Sequence, residues 1–362
     1  MRIKKRHGFL ITVLIIAAGY YFLTRIPSLT SEEKRMTDNL FSVTKSQCMG
    51  RYLVDVPGEL ANSNHDAVEI NDIHISSQRM YFPAFEQRVR LREEAYRREY
   101  TANPKDQPFL KQVYRISDNA VIFEHNESPG VSDALRSLEG HFYANGVAFT
   151  LTSEITDMTG ERYKHDRFVF LKAGNNERGF YTTQQKLTEM QNLFSRLSGR
   201  QDEEIPTQPG VCIPDGFIRD DSGVQREKLT FNYSNKDFNL YFEHDNTRKK
   251  DKSLLERSGE IQPNLLIRGI LTLRKGKRNN SGMEGEEWLV KGRQQIYYPM
   301  ETVTDRYQFT FYANEKVVDN RHPVICAEMS NERIISTPYS KAQLVDIWDR
   351  IIGTLRPRPG AY

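Results

Sequence analysis

The chain reads as an α+β protein of two similar domains, each a largely antiparallel β-sheet packed with helices, preceded by an N-terminal transmembrane helix. Three observations carry that expectation. Short β-rich runs with period-two alternation, separated by turn residues, recur through both halves. Each half closes on a stretch whose apolar residues recur at helical spacing. A run of apolar residues directly follows a Lys/Arg cluster at the chain start. The 362 residues suffice for two domains of ordinary size. A composition of 38% hydrophobic and 27% charged residues closes cores beneath a polar surface, and it excludes collagen-like, coiled-coil and disordered chains.

At the N-terminus, Arg2, Lys4, Lys5 and Arg6 precede Phe9, Leu10, Ile11, Val13, Leu14, Ile15, Ile16, Tyr20, Tyr21, Phe22 and Leu23, and Arg25 closes the run. As a helix this run rises about 22 Å, short of the roughly 30 Å hydrocarbon layer. Snorkelling of Lys5, Arg6 and Arg25 and the interfacial preference of the tyrosines make up the difference. Positive charge before the run keeps the N-terminus in the cytoplasm and sends the remainder across the membrane. Ala17-Ala18-Gly19 offers small residues for cleavage, but the aromatic pair behind them favours an uncleaved anchor, with a cleaved signal as the alternative. The formal charge of +3 owes most to this segment, so the body is close to neutral and no general basic field for nucleic acid exists.

An exported chain permits disulfides, and there are three cysteines, Cys48, Cys212 and Cys326. Cys212 and Cys326 both fall in the second half, so the expected pair is Cys212 with Cys326, leaving Cys48 buried and reduced. Pairing of Cys48 with Cys212, or three free thiols, remains open.

After residues 1–27 as anchor, residues 28–46 are polar and mixed in charge, as a tether is. The first domain spans 47–200. Its strand candidates are 50–56, 68–75, 112–116, 120–125, 140–143, 147–153 and 167–172, with one long charged helix over 84–100. Asn145-Gly146, between two aromatic-bearing runs, predicts a tight hairpin because both residues tolerate positive φ. Leu187, Met190, Leu193, Phe194 and Leu197 predict a closing helix over 183–198, with Gly199 as its stop. Residues 201–209, charged and proline-bearing, read as a linker.

The second domain, 210–358, repeats the plan. Strands are expected at 229–233, 238–243, 267–274, 287–291, 295–298, 307–312 and 324–328, with a shorter helix around Leu254. Ser340 caps a final helix in which Leu344, Ile347, Trp348, Ile351, Ile352 and Leu355 form one apolar stripe. Leu138-Glu139-Gly140 and Met283-Glu284-Gly285 occupy corresponding places, which points to a duplicated unit.

Catalytic spacings are nearly absent. No G-x-S-x-G, H-E-x-x-H or P-loop pattern occurs. Ser42-Val43-Thr44-Lys45 matches S-x-x-K only at two fixed positions, beside the tether. The eight histidines are scattered, so a zinc site needs assembly from distant segments. Acid pairs stand at Glu203-Glu204, Asp220-Asp221 and Glu286-Glu287. Adjacent carboxylates on a strand face opposite ways, which makes a poor acid/base couple. Asp220, Asp221, Glu286 and Glu287 are therefore solvated positions or contacts with a partner protein. The basic run Arg274 to Arg278 reads as a solvated turn. The chain is expected to be a binder and not an enzyme, with no cofactor and no metal.

Two stretches carry a resemblance. Cys48-Met49-Gly50-Arg51-Tyr52-Leu53-Val54-Asp55-Val56-Pro57 and Gly210-Val211-Cys212-Ile213-Pro214-Asp215-Gly216-Phe217-Ile218, followed by Gly285-Glu286-Glu287-Trp288-Leu289, resemble the two-domain immunity proteins of the Tli4 type. These are cognate to Tle phospholipase effectors of bacterial type VI secretion. The likeness runs from about Cys48 to Arg356. It implies an inhibitor facing the periplasm and anchored in the inner membrane, whose two lobes clasp the cap and active-site entrance of the effector. It carries no catalytic residues over, and its signature residues are expected to be structural. The alternative is a membrane-anchored periplasmic chaperone for an exported lipase, which shares topology and partner but raises lipase activity. An enzyme with a dispersed site is the third possibility.

Overall fold

A computed structural model describes residues 19, 21, 23–63, 65–221, 223–298 and 300–362. The expected anchor, Phe9 to Leu23, lies outside the described residues except for Gly19, Tyr21 and Leu23. Among the described residues no helix is long and apolar enough to cross a membrane. The fold is α+β and built on antiparallel sheets. It divides into two compact units, each discontinuous in sequence. The first gathers the described residues up to 47 with 52–65 and 230–357, and the second gathers 48–51, 66–229 and 358–362. Residues 201–209 thus fall inside the second unit.

In the first unit, the strands Leu271–Asn280, Met283–Ile296, Thr302–Ala313, Val324–Ser330 and Asn239–Asp245 lie side by side, followed by most of Glu227–Ser234. Alternation sets the buried face: along Thr302–Ala313, Tyr307, Phe309 and Phe311 are buried and the residues between them are not. The helix Lys341–Ile352 packs on that face, with Phe309 edge-on to Trp348. Ser340 caps it as expected, completing a capping box with Gln343.

The expected tether is partly ordered. Thr30 and Glu33 form a second capping box that starts the helix Ser31–Leu40, so the polar stretch had a helix-initiation signal in it. That helix docks through Asp38 to Arg350 (2.8 Å) and through the Glu33 carbonyl, which accepts from Gln343 Nε2 (3.1 Å).

In the second unit the strand order is Ala67–Ile70, Ile73–Arg79, Val147–Thr156, Leu135–Ala144, Ala120–Asn126 and Leu110–Ser117. The hairpin at Asn145-Gly146 forms with φ of 50° and 79°. The same chemistry at Asn71-Asp72 (φ 51° and 62°) splits the single strand expected over 68–75 into a hairpin. The helix Phe82–Arg98 covers one face, where Tyr96 joins Phe109, Leu110, Val121 and Phe123. The helix Thr183–Arg196 covers the other. A Cβ at Gly140 would lie 2.6 Å from Met190 Sδ, so glycine lets that helix close on the sheet.

Several expectations need correction. Residues 167–172 are not a strand but part of the helix Lys164–Lys172; Arg167 donates back to the Gly160 carbonyl (2.9 Å) and fixes a helical entry. Gly199 is not a helix stop: the chain passes directly into the strand Leu197–Gly199, where a Cβ would meet the Ala144 carbonyl at 2.3 Å. Residues 287–291 and 295–298 are not separate strands, since Met283–Ile296 runs unbroken. The run Arg274 to Arg278 is strand and not turn.

The disulfide also differs from expectation. Cys212 bonds Cys48, not Cys326, with a Cα separation of 5.8 Å. The backbones of Gly50 and Cys212 exchange hydrogen bonds (3.1 and 2.9 Å), which holds Cys48 within reach. Cys326 is buried and reduced on Val324–Ser330, opposite Glu243 and Tyr312 in the ladder.

Candidate functional site

The acid pairs Asp220-Asp221 and Glu286-Glu287 each make contacts within the protein, with Glu287 buried and Asp221 exposed. Glu286 and Glu287 face opposite ways on their strand, as a period of two requires. Glu287 is buried, pairs with Arg274 (Nε at 2.7 Å), and accepts hydrogen bonds from Arg274 Nη2 (3.3 Å), Arg278 Nη1 (3.0 Å) and the Trp348 indole (3.2 Å). Arg274 and Arg278 also grip Asp349, whose carboxyl is disfavoured by burial but held below its ordinary range by the two guanidiniums. The basic run is thus an internal clamp for a helix. Glu286 accepts from the backbone N–H of Leu255 (2.7 Å) in the first turn of the helix Leu254–Ile267.

Asp220 and Asp221 are likewise held. Both Asp220 oxygens accept from Arg51 (2.7 Å each), and Asp221 accepts from the N–H of Gly223 (2.9 Å). Arg51 is buried, also contacts Glu227 and the Ala361 carbonyl, and lies 4.9 Å from the centre of the Tyr362 ring. Burial opposes its charge, but the hydrogen-bonded carboxylates of Asp220 and Glu227 overcome that and raise its pKa. Arg358 has carbonyls alone for acceptors, from Pro206, Gln208 and Gly210, and burial pushes it down to about 10. Within the protein, then, Asp220 neutralises Arg51, and Glu287 neutralises Arg274 and Arg278.

Among the described residues, two cavities are of note. In the first unit, one of about 880 Å³ is lined by both signs of charge, among them Lys277, Glu284, Glu315, Lys316 and Arg321. In the second unit, one of about 690 Å³ runs along the helix Phe82–Arg98, with Arg88, Leu91 and Arg92 on one side and Glu139, His141 and Thr150 of two strands on the other. Glu139 is the hub of that groove. It accepts from Arg92 Nε (2.8 Å) and Nη2 (2.7 Å), from the Tyr96 hydroxyl (2.8 Å), and lies 2.8 Å from His141 Nε2. Burial disfavours its charge, yet Arg92 and His141 hold the carboxyl well below the usual range. Arg92 also lies over the Tyr96 ring, 4.4 Å from its centroid, which restrains the guanidinium that meets Glu139 with two N–H groups.

The sequence reading singled out Glu139 only as part of a repeat and His141 only as one scattered histidine. The signal available was Glu139-Gly140-His141 on a β-rich run: residues two apart on a strand share a face. Ser42 of the S-x-x-K match donates to the Asn39 carbonyl (2.7 Å), closing the helix Ser31–Leu40. Among the described residues no group of three or more His, Cys, Asp or Glu gathers as metal ligands do.

Two antiparallel α+β units, with the acid pairs tied into internal networks, make up the scaffold, and sequence comparison gives its class. The profile of the Tle cognate immunity protein 4 N-terminal domain matches residues 45–200, and that of its C-terminal domain matches residues 204–360. The chain belongs to the Tle cognate immunity protein 4 family.

Among solved structures, it is similar to the immunity protein TplEi of the type VI secretion system of Pseudomonas aeruginosa in its apo form. Identity is 20% and the TM-score 0.68, over 87% of this chain and 97% of that one. It is also similar to a chain of the Tle4-Tli4 complex, at 20% identity and TM-score 0.69, over 88% of this chain and 98% of that one. TplEi complexed with an "L" peptide aligns at 19% identity and TM-score 0.63, over 87% and 98%. At such identities the likeness establishes the fold. No curated protein matches significantly.

Proposed function

We propose that this protein binds a cognate phospholipase effector of a type VI secretion system in the periplasm and inhibits it by occlusion, its two lobes clasping the effector's cap and active-site entrance. The observation that carries this reading is the family match, which runs through both halves of the chain from residue 45 to residue 360. A fold shared with a chain of the Tle4-Tli4 complex supports it. The apolar N-terminal run after a Lys/Arg cluster supports anchoring in the inner membrane with the body outside. Anchoring holds an inhibitor in the layer where a phospholipase works and raises its effective concentration. A tight, specific complex buries about 1,200 to 2,000 Å².

The test is co-purification of the full chain with the lipase encoded beside it, followed by a phospholipase assay of the pair. Stoichiometric loss of activity is expected. A rise in the yield of active lipase would instead identify a chaperone, and lipid turnover by this chain alone would identify an enzyme. Alkaline phosphatase fused after the first thirty residues is expected to be active, since its own folding requires export.

A further inference from the structure

The groove along the helix Phe82–Arg98 holds two polar nitrogens that the fold itself leaves without a partner, one of them, Arg88 Nε, a donor. His141 is 4% exposed, its Nε2 is committed to Glu139, and its Nδ1 is buried without a hydrogen-bond partner. Arg88, on the opposite wall, has no carboxylate within ion-pair distance among the described residues. Its Nη1 donates to the Gln78 side-chain oxygen (2.8 Å), and its Nε is buried with no acceptor. Burial lowers the pKa of this guanidinium, and the carboxylate of Glu139 only partly offsets the effect. Elsewhere the helix and sheet pair charges closely: Arg92 with Glu139, and Arg97 and Arg115 with Glu93. Arg88 stands outside that pattern.

A buried donor left unmet, such as Arg88 Nε, is unfavourable, and a guanidinium selects a carboxylate because two of its N–H groups match two oxygens. Glu139 already spends both oxygens on Arg92, Tyr96 and His141. The lining therefore has a positive excess, Arg88 and Arg92 against Glu139. Leu91, 52% exposed on the helix wall, supplies apolar surface beside it. A protein side chain brings both chemistries at once, a carboxylate on an aliphatic stem within a peptide, whereas a small free anion has nothing to set against Leu91.

We infer that this groove is a docking site for an acidic side chain, Asp or Glu, of the partner effector, received by Arg88. The inference rests on the immunity reading above and names a contact within it. Arg88 carries the charge recognition, and Glu139 holds His141 Nε2 at 2.8 Å on the opposite wall of the groove.

The experiment measures the affinity of the full chain for the adjacent-gene lipase with wild type, Arg88→Ala and Arg88→Glu, alongside thermal melting of each variant. Arg88 lies at the groove and only partly buried, so melting is expected to stay at the wild-type value. Binding is expected to weaken about tenfold for R88A and further for R88E, the size of one charge-assisted contact. Acetate in large excess is expected not to compete. Wild-type affinity retained by R88E overturns the groove assignment while leaving the immunity reading intact. Competition by acetate overturns it in favour of a small-anion pocket. Failure of the wild-type chain to bind the lipase at all overturns the immunity reading and, with it, this contact.

Discussion

The guanidinium of Arg51 meets the carboxylate of Glu227 at 2.5 Å, with side-chain exposures of 6% and 1%. The same guanidinium binds Asp220 and the Ala361 carbonyl, so one residue gathers segments 169 and 310 positions further along the chain. Breaking a buried ion pair from one side strands the other charge, at about 3 to 5 kcal/mol. Arg51→Met is expected to lower stability by that amount in urea melts. The double variant R51M with Glu227→Gln is expected to recover part of it, because one stranded carboxylate is then neutral.

The bond between Cys48 and Cys212 closes a sequence separation of 164 residues. In the chain-entropy account such a loop stabilises by at most about 5 kcal/mol. Cys48→Ser and Cys212→Ser are each expected to lower the denaturation midpoint substantially, and Cys326→Ser is expected not to do so by loss of a bond. Burial pushes the Cys326 thiol far up, so alkylation near neutral pH is expected only after unfolding, with one thiol titrating per chain. Mass spectrometry of native and denatured alkylated protein checks both.

Glu139 is disfavoured by burial but held below its ordinary pKa by Arg92 and His141. A carboxyl lowered in the folded state contributes stability fully above its unfolded value, about 4.3, and loses it as pH falls further. Urea melts at descending pH are expected to show stability falling below that point in wild type, and less steeply in Glu139→Gln. An identical slope in both proteins would remove Glu139 from the account.

Glu286 and Glu287 are neighbours with different duties. Glu287 is buried under Arg274, Arg278 and Trp348, whereas Glu286 holds one N–H of a helix start. Glu287→Ala leaves two guanidiniums short of an acceptor and is expected to cost about 3 to 5 kcal/mol. Glu286→Ala is expected to cost about 1 kcal/mol, the scale of a helix cap. Calorimetric melting of the two variants separates them.

Much of the architecture was legible in local patterns. The final helix was announced by its stripe from Leu344 to Ile352 and by Ser340, and the hairpin by Asn145-Gly146, because 3.6- and 2-residue periods and positive-φ turns are properties of adjacent residues. Residues 167–172 misled because a short apolar run looks alike in a helix and a strand. The helix Ser31–Leu40 was missed although Thr30 and Glu33 carry the capping-box spacing. A polar stretch beside an apolar run reads as tether unless Glu33 is paired with Thr30 as a cap.

The chain alone determined the elements, their alternation and its family, since these depend on neighbours in sequence and on motifs such as Cys48 to Pro57. Tertiary structure alone decided which cysteine meets Cys212, which acids neutralise Arg51 and Arg274, and that Arg88 and His141 share one groove. Those pairings join residues far apart along the backbone. Their energies come from distance and from exclusion of water, and neither quantity exists until the sheets have assembled.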